Sequence, residues 1–154
     1  MRPAHTPVGL HLSQASRTVS RAFDDALSAA GGSLPAWLVL LNLTIRAVAS
    51  QRDLAEAMGI REATLTHHLN AMESAGLITR QRDPANRRIH VVQVTGAGRE
   101  LFTRLREAAT AFDTQLRRGL TTGQIDQFTE VLDQLAANVA EPPGGLPWSG
   151  LAAE

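Results

Sequence analysis

Two adjacent arginines, Arg87 and Arg88, follow a short loop that contains Asp, Pro and Asn. Strand-like stretches at 77–82 and 88–94 flank this loop, which predicts a β-hairpin. Guanidinium groups make forked contacts with phosphate and are suited to the narrow minor groove of A·T-rich DNA. Taken alone, the pair is also consistent with a solvated hairpin end, so the interpretation depends on the elements that precede it.

A helix with one polar side is predicted directly before the hairpin, at about 62–75. Leu65, Leu69 and Met72 recur at i, i+4 and i+7 and form its buried side. The opposite side can enter the major groove, where each base pair shows a distinct pattern of donors and acceptors. A solvated helix face is the alternative for each residue alone. The candidates for DNA contact are Arg61, at the N-cap position where arginine is a poor cap, and Thr64, Thr66, His67 and His68.

A shorter helix is predicted at 51–58, ended by Gly59. The segment Ser50-Gln51-Arg52-Asp53 is similar to a capping box. Ser50, Gln51 and Arg52 are candidates for phosphate contact because they lie at the start of this helix. Two short helices joined by a tight glycine turn form a helix-turn-helix, and the hairpin after them supplies a wing.

Longer helices are predicted on both sides of this unit. The first runs from Gly9 to Gly31-Gly32, and a second, apolar on nearly all sides and therefore central, runs from Leu34 to about 48. Thr95 caps a fifth helix that Gly119 closes, and a Thr-x-x-Gln capping box at 121–124 opens a sixth. The predicted fold class is mainly α with a small β-hairpin wing: a winged helix-turn-helix domain flanked by N- and C-terminal dimerisation helices.

The predicted organisation is a single domain over 1–154. Its winged helix-turn-helix part covers about 48–95, and an irregular tail covers 141–154. The helices at about 9–32 and 96–140 have apolar stripes that the small core of the winged part cannot cover. We therefore expect these helices to pack against the same helices of a second copy, which makes the chain a homodimer.

The composition narrows the function classes. The 15 basic residues, all arginine, balance 15 acidic residues, but the segment 76–92 carries a net charge of +3. The chain has no cysteine, so disulfides and thiolate metal sites are excluded within it. No convergent carboxylate pair, nucleophile or phosphate-binding glycine loop is apparent, and an enzyme, a cofactor or a metal site is not expected. With no apolar run near ~20 residues and no signal-peptide pattern, we expect a cytoplasmic protein without membrane contact.

Taken together, these segments resemble the MarR family of bacterial winged-helix transcriptional regulators over about residues 10–139. The family wing carries Asp-x-Arg, three residues, an aliphatic residue, any residue and Leu-Thr, and here 86–95 occupies that place, followed by Gly98. The other matching segments are Ser33-Leu34-Pro35-Ala36-Trp37-Leu38-Val39-Leu40, Gln51-Arg52-Asp53-Leu54-Ala55, Thr64-Leu65-Thr66 through Leu69, and Met72-Glu73-Ser74-Ala75-Gly76-Leu77-Ile78.

The resemblance implies a DNA-binding regulator that binds a pseudo-palindromic operator as a homodimer, with Arg88 in the minor groove and Arg87 on that groove or on phosphate. The sequence departs from the family pattern at Asn86, where Asp is usual, and at His67 and His68, where an arginine is common. A salt bridge from residue 86 to Arg88 is thereby reduced to a neutral hydrogen bond.

Family members often bind phenolic or carboxylate compounds between the dimer region and the winged part, which implies a repressor released by a small aromatic or phenolic effector. The candidate effector-binding residues are His11, Arg17, Arg21 and Trp37. A core position for Trp37 and exposed positions for the two arginines are the competing interpretation. The alternative function is a winged-helix protein–protein interaction module without sequence-specific DNA binding.

Overall fold

Helices dominate the chain, and one antiparallel hairpin lies between the fourth and fifth of them. The structure, a computed structural model, describes residues 7–45, 50–82, 85 and 90–140. The predicted fold class, mainly α with a small hairpin wing, is confirmed. The elements are α1 (Val8–Ala29), α2 (Leu34–Ile45), α3 (Gln51–Met58), α4 (Glu62–Ser74), β1 (Ile78–Arg82), β2 (His90–Val94), α5 (Gly96–Leu116) and α6 (Thr122–Val139).

Local hydrogen bonds start these helices where the sequence predicts. The Ser50 hydroxyl accepts from the backbone N–H of Asp53 at 3.1 Å and caps α3. The Thr121 hydroxyl accepts from the N–H of Gln124, whose side chain accepts from the N–H of Thr121 in return, so the predicted capping box is present. Each bond satisfies an N–H that has no partner within its helix.

The hairpin pairs Ile78 with Val94 and continues to the pair of Arg82 with His90. The first strand begins one residue later than predicted, because the N–H of Leu77 is used to end α4. It donates to the Met72 carbonyl at 2.9 Å, across a glycine with φ of 71°. The loop residues 83, 84 and 86–89, which include Arg87 and Arg88, lie outside the described residues.

The core is continuous from the winged elements into the flanking helices. Val39 and Leu40 of α2 are completely buried, which confirms its central position. Leu27 of α1 and Leu105 of α5 are equally buried in the same cluster. The described part of 48–95 thus shares its core with α1, α2 and α5, which contribute buried apolar side chains to the same cluster.

The described residues through Asp113 form one compact unit, and those from Thr114 form a second. No residue of α6, which belongs to the second unit, is buried. Three of its large apolar side chains are exposed: Phe128, Val131 and Val139. The single-domain organisation remains a prediction, and the predicted irregular tail at 141–154 lies outside the described residues.

Within the described part of the chain, no single helix is both long and apolar enough to cross a bilayer. The consecutive helices α1 and α2 meet the length and composition criteria only when taken together, with a bend of 75° between them.

Candidate nucleic-acid interface

The helix α4 buries one side and exposes the other, as its sequence predicts. Leu65 and Leu69 are completely buried, and Met72 is nearly so. The opposite side presents small and polar side chains, and we call it the outward face of α4. Its members are Ala63, Thr64, His67, Asn70 and Ala71, all exposed.

The two histidines of α4 differ in their surroundings. His67 lies in the middle of the outward face, whereas His68 is half-buried at its edge. Their rings meet edge to face, with centroids 5.8 Å apart. His67 is therefore the histidine better placed to contact a ligand in front of this face.

A side-chain link holds α3 against α4. The Gln51 side-chain amide donates to the Thr66 hydroxyl, and that hydroxyl donates to the Glu62 carbonyl at 2.9 Å. Thr66 is half-buried. Both predicted contact residues, Gln51 and Thr66, thus have a structural partner, and they link the two helices of the helix-turn-helix.

The N-terminus of α4 carries an exposed cation. Arg61 occupies the predicted N-cap position, and its side chain makes no capping hydrogen bond. The preceding turn is made by Gly59, which adopts φ of 64° and ends α3. Since the N-terminus of a helix favours anions, Arg61 adds an exposed positive charge where a phosphate is already favoured.

The start of α3 lies beside the hairpin. Ser50 forms an isolated antiparallel bridge with Val91 of β2. The Ser50 hydroxyl accepts the capping bond, while Arg52 is exposed. Of the three candidates predicted here for phosphate contact, Arg52 is the one whose charge is available to solvent.

An arginine of β1 joins the hairpin to the exposed side of α4. Arg80 Nη2 lies 2.6 Å from Glu73 Oε2, and Arg80 Nε donates to the same oxygen at 3.0 Å. Arg80 Nη2 also donates to Asn70 Oδ1 at 2.6 Å. The side-chain hydrogen bond from Arg80 holds the pKa of Glu73 below its ordinary value. A cavity of about 330 Å³ lies against this pair and is also lined by Gln81 and Arg82.

The base of the hairpin is anchored on α5. The Thr95 hydroxyl donates to the Gly76 carbonyl at 2.7 Å and accepts from the N–H of Gly98 at 3.1 Å, so it caps α5 as predicted. The backbone N–H of Thr95 donates to the Leu77 carbonyl at 3.1 Å. The wing therefore leaves the protein from a fixed base.

The predicted effector residues fall into two environments. Arg17 and Arg21 are exposed on α1 and line a shallow cavity of about 200 Å³. His11 is exposed on the same helix, six residues before Arg17. Trp37 is half-buried and stacks on Phe102 with ring centroids 5.4 Å apart, so its indole is part of the core packing.

Sequence reasoning missed three residues of this surface: Asn70, Glu73 and Arg80. Asn70 follows His67 by three positions, the spacing of neighbours on one helix face, and could have been found from that spacing. The link from Arg80 to α4 has no comparable signal, because it depends on how β1 packs against the helix.

These features define a winged helix-turn-helix protein with a polar face on its second helix. The family model described as "MarR family" matches residues 33–90. The HTH-type transcriptional regulator YdgJ of Bacillus subtilis (strain 168), itself uncharacterized, is 29% identical over 90 residues, which span 58% of this chain and 55% of that protein. The chain thus matches only about half the length of this relative.

Two solved structures share the fold over nearly their whole length. The transcriptional repressor CouR bound to a 23-mer DNA duplex is 27% identical, with a TM-score of 0.75 over 84% of this chain and 92% of that one. CouR from Rhodococcus jostii RHA1 bound to p-coumaroyl-CoA gives a TM-score of 0.73 at 23% identity, over 95% of this chain and 99% of that one. Over residues 33–90 the chain therefore matches the MarR family of winged helix-turn-helix transcriptional regulators.

Proposed function

We propose that this protein is a DNA-binding transcriptional regulator that inserts the outward face of α4 into the major groove. The observation that carries the proposal is the exposure of Thr64, His67 and Asn70 on a helix whose opposite side is completely buried. Because the buried side of α4 stays packed in the core, the exposed side can contact base edges without any unfolding. The DNA complex of CouR, which shares this fold, supports the proposal.

Phosphate contacts would come from the N-termini of both helices of the helix-turn-helix. Arg61 and Arg52 are exposed at the N-termini of α4 and α3, where helix dipoles favour anions. We include Arg88 as a minor-groove contact of the wing, with Arg87 in that groove or on phosphate, on the strength of the family resemblance and the suitability of arginine for that groove. The half-buried His68 and the linked Thr66 are secondary candidates.

We further propose that the protein acts as a homodimer. Exposed apolar side chains lie on α1, including Val8 and Leu12, and on α6, including Phe128 and Val131. Exposed apolar side chains that lie three or four residues apart share one helix face, and contiguous apolar faces mark association sites. A two-fold dimer would place its two outward faces on half-sites about one helical turn apart, ~34–36 Å, so a pseudo-palindromic operator is expected.

We also propose that the protein is a repressor and that a small aromatic or phenolic effector releases it from DNA. We expect it to act in the cytoplasm and to have no enzymatic activity. The CouR structure with p-coumaroyl-CoA supports an effector of this class. In this chain, Arg17 and Arg21 offer guanidinium groups to a carboxylate or phosphate beside the cavity on α1, with His11 on the same helix. Trp37 would respond to effector binding through its packing between α2 and α5 more than through direct contact with the effector.

DNA titrations followed by fluorescence anisotropy test the main proposal. The full chain should bind random duplexes at low salt, and its affinity should fall as salt increases because phosphate contacts release counterions. Arg88→Ala should lower the salt slope by about one unit across many sequences. Absence of binding to duplex DNA even at low salt would support the alternative, a winged-helix module for protein–protein contact. An unchanged salt slope and affinity in Arg88→Ala would contradict only the proposed contact between the wing and DNA.

A further inference from the structure

Asn70 is held by one atom of its side chain. Its Oδ1 accepts from Arg80 Nη2 at 2.6 Å, and the same guanidinium is fixed by two bonds to Glu73 Oε2. The Arg80 side chain is only 19% exposed, compared with 38% for Glu73. An anchored cation from β1 thus reaches the outward face of α4 and orders the amide there.

The chemistry of arginine determines which way this amide faces. A guanidinium group has five N–H donors and no acceptor, so the amide oxygen, and not its NH₂ group, must face Arg80. The amide nitrogen Nδ2 then lies on the other branch of the side chain, away from Arg80. No hydrogen bond from Nδ2 is formed within residues 7–45, 50–82, 85 and 90–140, and Asn70 is exposed.

This orientation changes what Asn70 can recognise. An unrestrained asparagine contacts adenine with both atoms, donating to N7 and accepting from N6. Here a charge-assisted bond engages one lone pair of Oδ1 and turns this atom toward Arg80, and such bonds are stronger than neutral ones. Nδ2 is therefore the group available to form a hydrogen bond with a base, and the side chain acts as a donor.

The local charge favours a base edge over a phosphate as the partner. Glu73 pairs with Arg80, so the neighbourhood of Asn70 carries no net positive charge from this pair. Ala71 and Ala63, exposed on the same face, leave room for the helix to approach the floor of the groove. Guanine offers two neighbouring acceptors on that floor, O6 and N7, to the two N–H bonds of Nδ2, whereas adenine and thymine each offer one acceptor and cytosine offers a donor.

We propose that Asn70 is a specificity-determining residue that donates from Nδ2 to guanine in the major groove. Arg80 and Glu73 are positioning residues that hold the amide in its donor orientation. The inference rests on the proposed DNA-binding function and adds to it a base preference at one position of each half-site.

Selection from a library of random duplexes tests the inference with the full chain. Wild type should enrich a two-fold symmetric motif, and competition with duplexes carrying each base in turn should show one position per half-site where guanine is preferred. Asn70→Ala should lose about fivefold to tenfold of that preference at this position only. Asn70→Asp keeps an acceptor for Arg80 but has no donor, so its preference should change from guanine to cytosine.

A second pair of variants tests the positioning role. Arg80→Lys retains a donor for Oδ1 and should retain the guanine preference. Arg80→Met frees the amide of Asn70. The preference for guanine over adenine at the position that Asn70 contacts should therefore decrease, while the preferences at the other positions of the motif stay the same. Asn138→Ala, at an exposed asparagine of α6, is the matched control and should not alter the motif. Circular dichroism melting of each variant verifies folding.

The outcomes separate the inference from the function it rests on. An enriched motif that is identical in wild type, Asn70→Ala and Asn70→Asp overturns the inference and leaves DNA recognition intact. A uniform loss of affinity for all sequences in Asn70→Ala indicates a phosphate contact and also overturns it. Failure of wild type to enrich any motif overturns both the inference and the proposed sequence-specific binding.

Discussion

Replacing Gly98 by alanine perturbs the contact that anchors α5 against the base of the hairpin. A Cβ atom at position 98 would lie 2.1 Å from the Leu77 carbonyl oxygen and 2.7 Å from Val94 Cγ1. The first of these is a backbone atom that accepts from the N–H of Thr95 at 3.1 Å and lies 3.0 Å from the Thr95 hydroxyl oxygen. Relief of the clash therefore requires α5 and the hairpin base to separate.

The expected effect is a net loss of stability, although glycine to alanine in a helix interior usually gains ~1 kcal/mol. Overpacking costs about 1–3 kcal/mol, and each displaced hydrogen bond costs ~1 kcal/mol more. We expect Gly98→Ala to be less stable by about 2 kcal/mol, which corresponds to a fall in Tm of roughly 4–8 °C for a chain of this size.

Urea denaturation followed by circular dichroism measures this difference, and Gly96→Ala is the matched control. Gly96 lies in the first turn of the same helix, and a Cβ there would meet nothing within 4 Å. Gly96→Ala should be unchanged or slightly more stable. A Gly98→Ala protein as stable as Gly96→Ala would refute the reasoning from close approach.

Two further perturbations test the ion pair and the dimer. Because the pKa of Glu73 is lowered in the folded protein, its carboxylate stabilises the fold above its ordinary value of 4.5, and this contribution is lost as the pH falls through the lowered pKa. Glu73→Gln should therefore be less stable than wild type near pH ~7, and the difference should shrink as the pH falls through the lowered pKa. A deficit that stays constant throughout acid titration would contradict the charge argument. Phe128→Asp should convert a dimer to a monomer in light scattering, whereas Ala137→Asp, also exposed on α6, should not; a wild type that is monomeric would rule out the proposed dimer.

The helix boundaries were predictable because the signals that set them are local. The Ser50 cap and the Thr121–Gln124 box each join atoms three residues apart, so residue type and spacing determine them without knowledge of the fold. The burial of Leu65 and Leu69 follows in the same way from their helical spacing. The outward face of α4 is the consequence, and most of its polar residues were predicted.

The contacts that refine this face were not predictable, because they join residues that are distant in the sequence. Gln51 and Thr66 are 15 residues apart, and Arg80 and Asn70 are 10 apart. His68 is half-buried although it lies near the polar side of its helix. Periodicity gives the direction of a side chain from its own helix axis but not the position of the neighbouring element.

The sequence by itself therefore determined the winged helix-turn-helix, its polar helix and the unusual paired arginines, since each depends on residue types within a few positions. The tertiary structure alone decided that Gly98 approaches the Leu77 carbonyl and that Arg80 orients the Asn70 amide. These depend on the distance between packed elements, which is set by the whole core, including α1, α2 and α5, and not by any one segment.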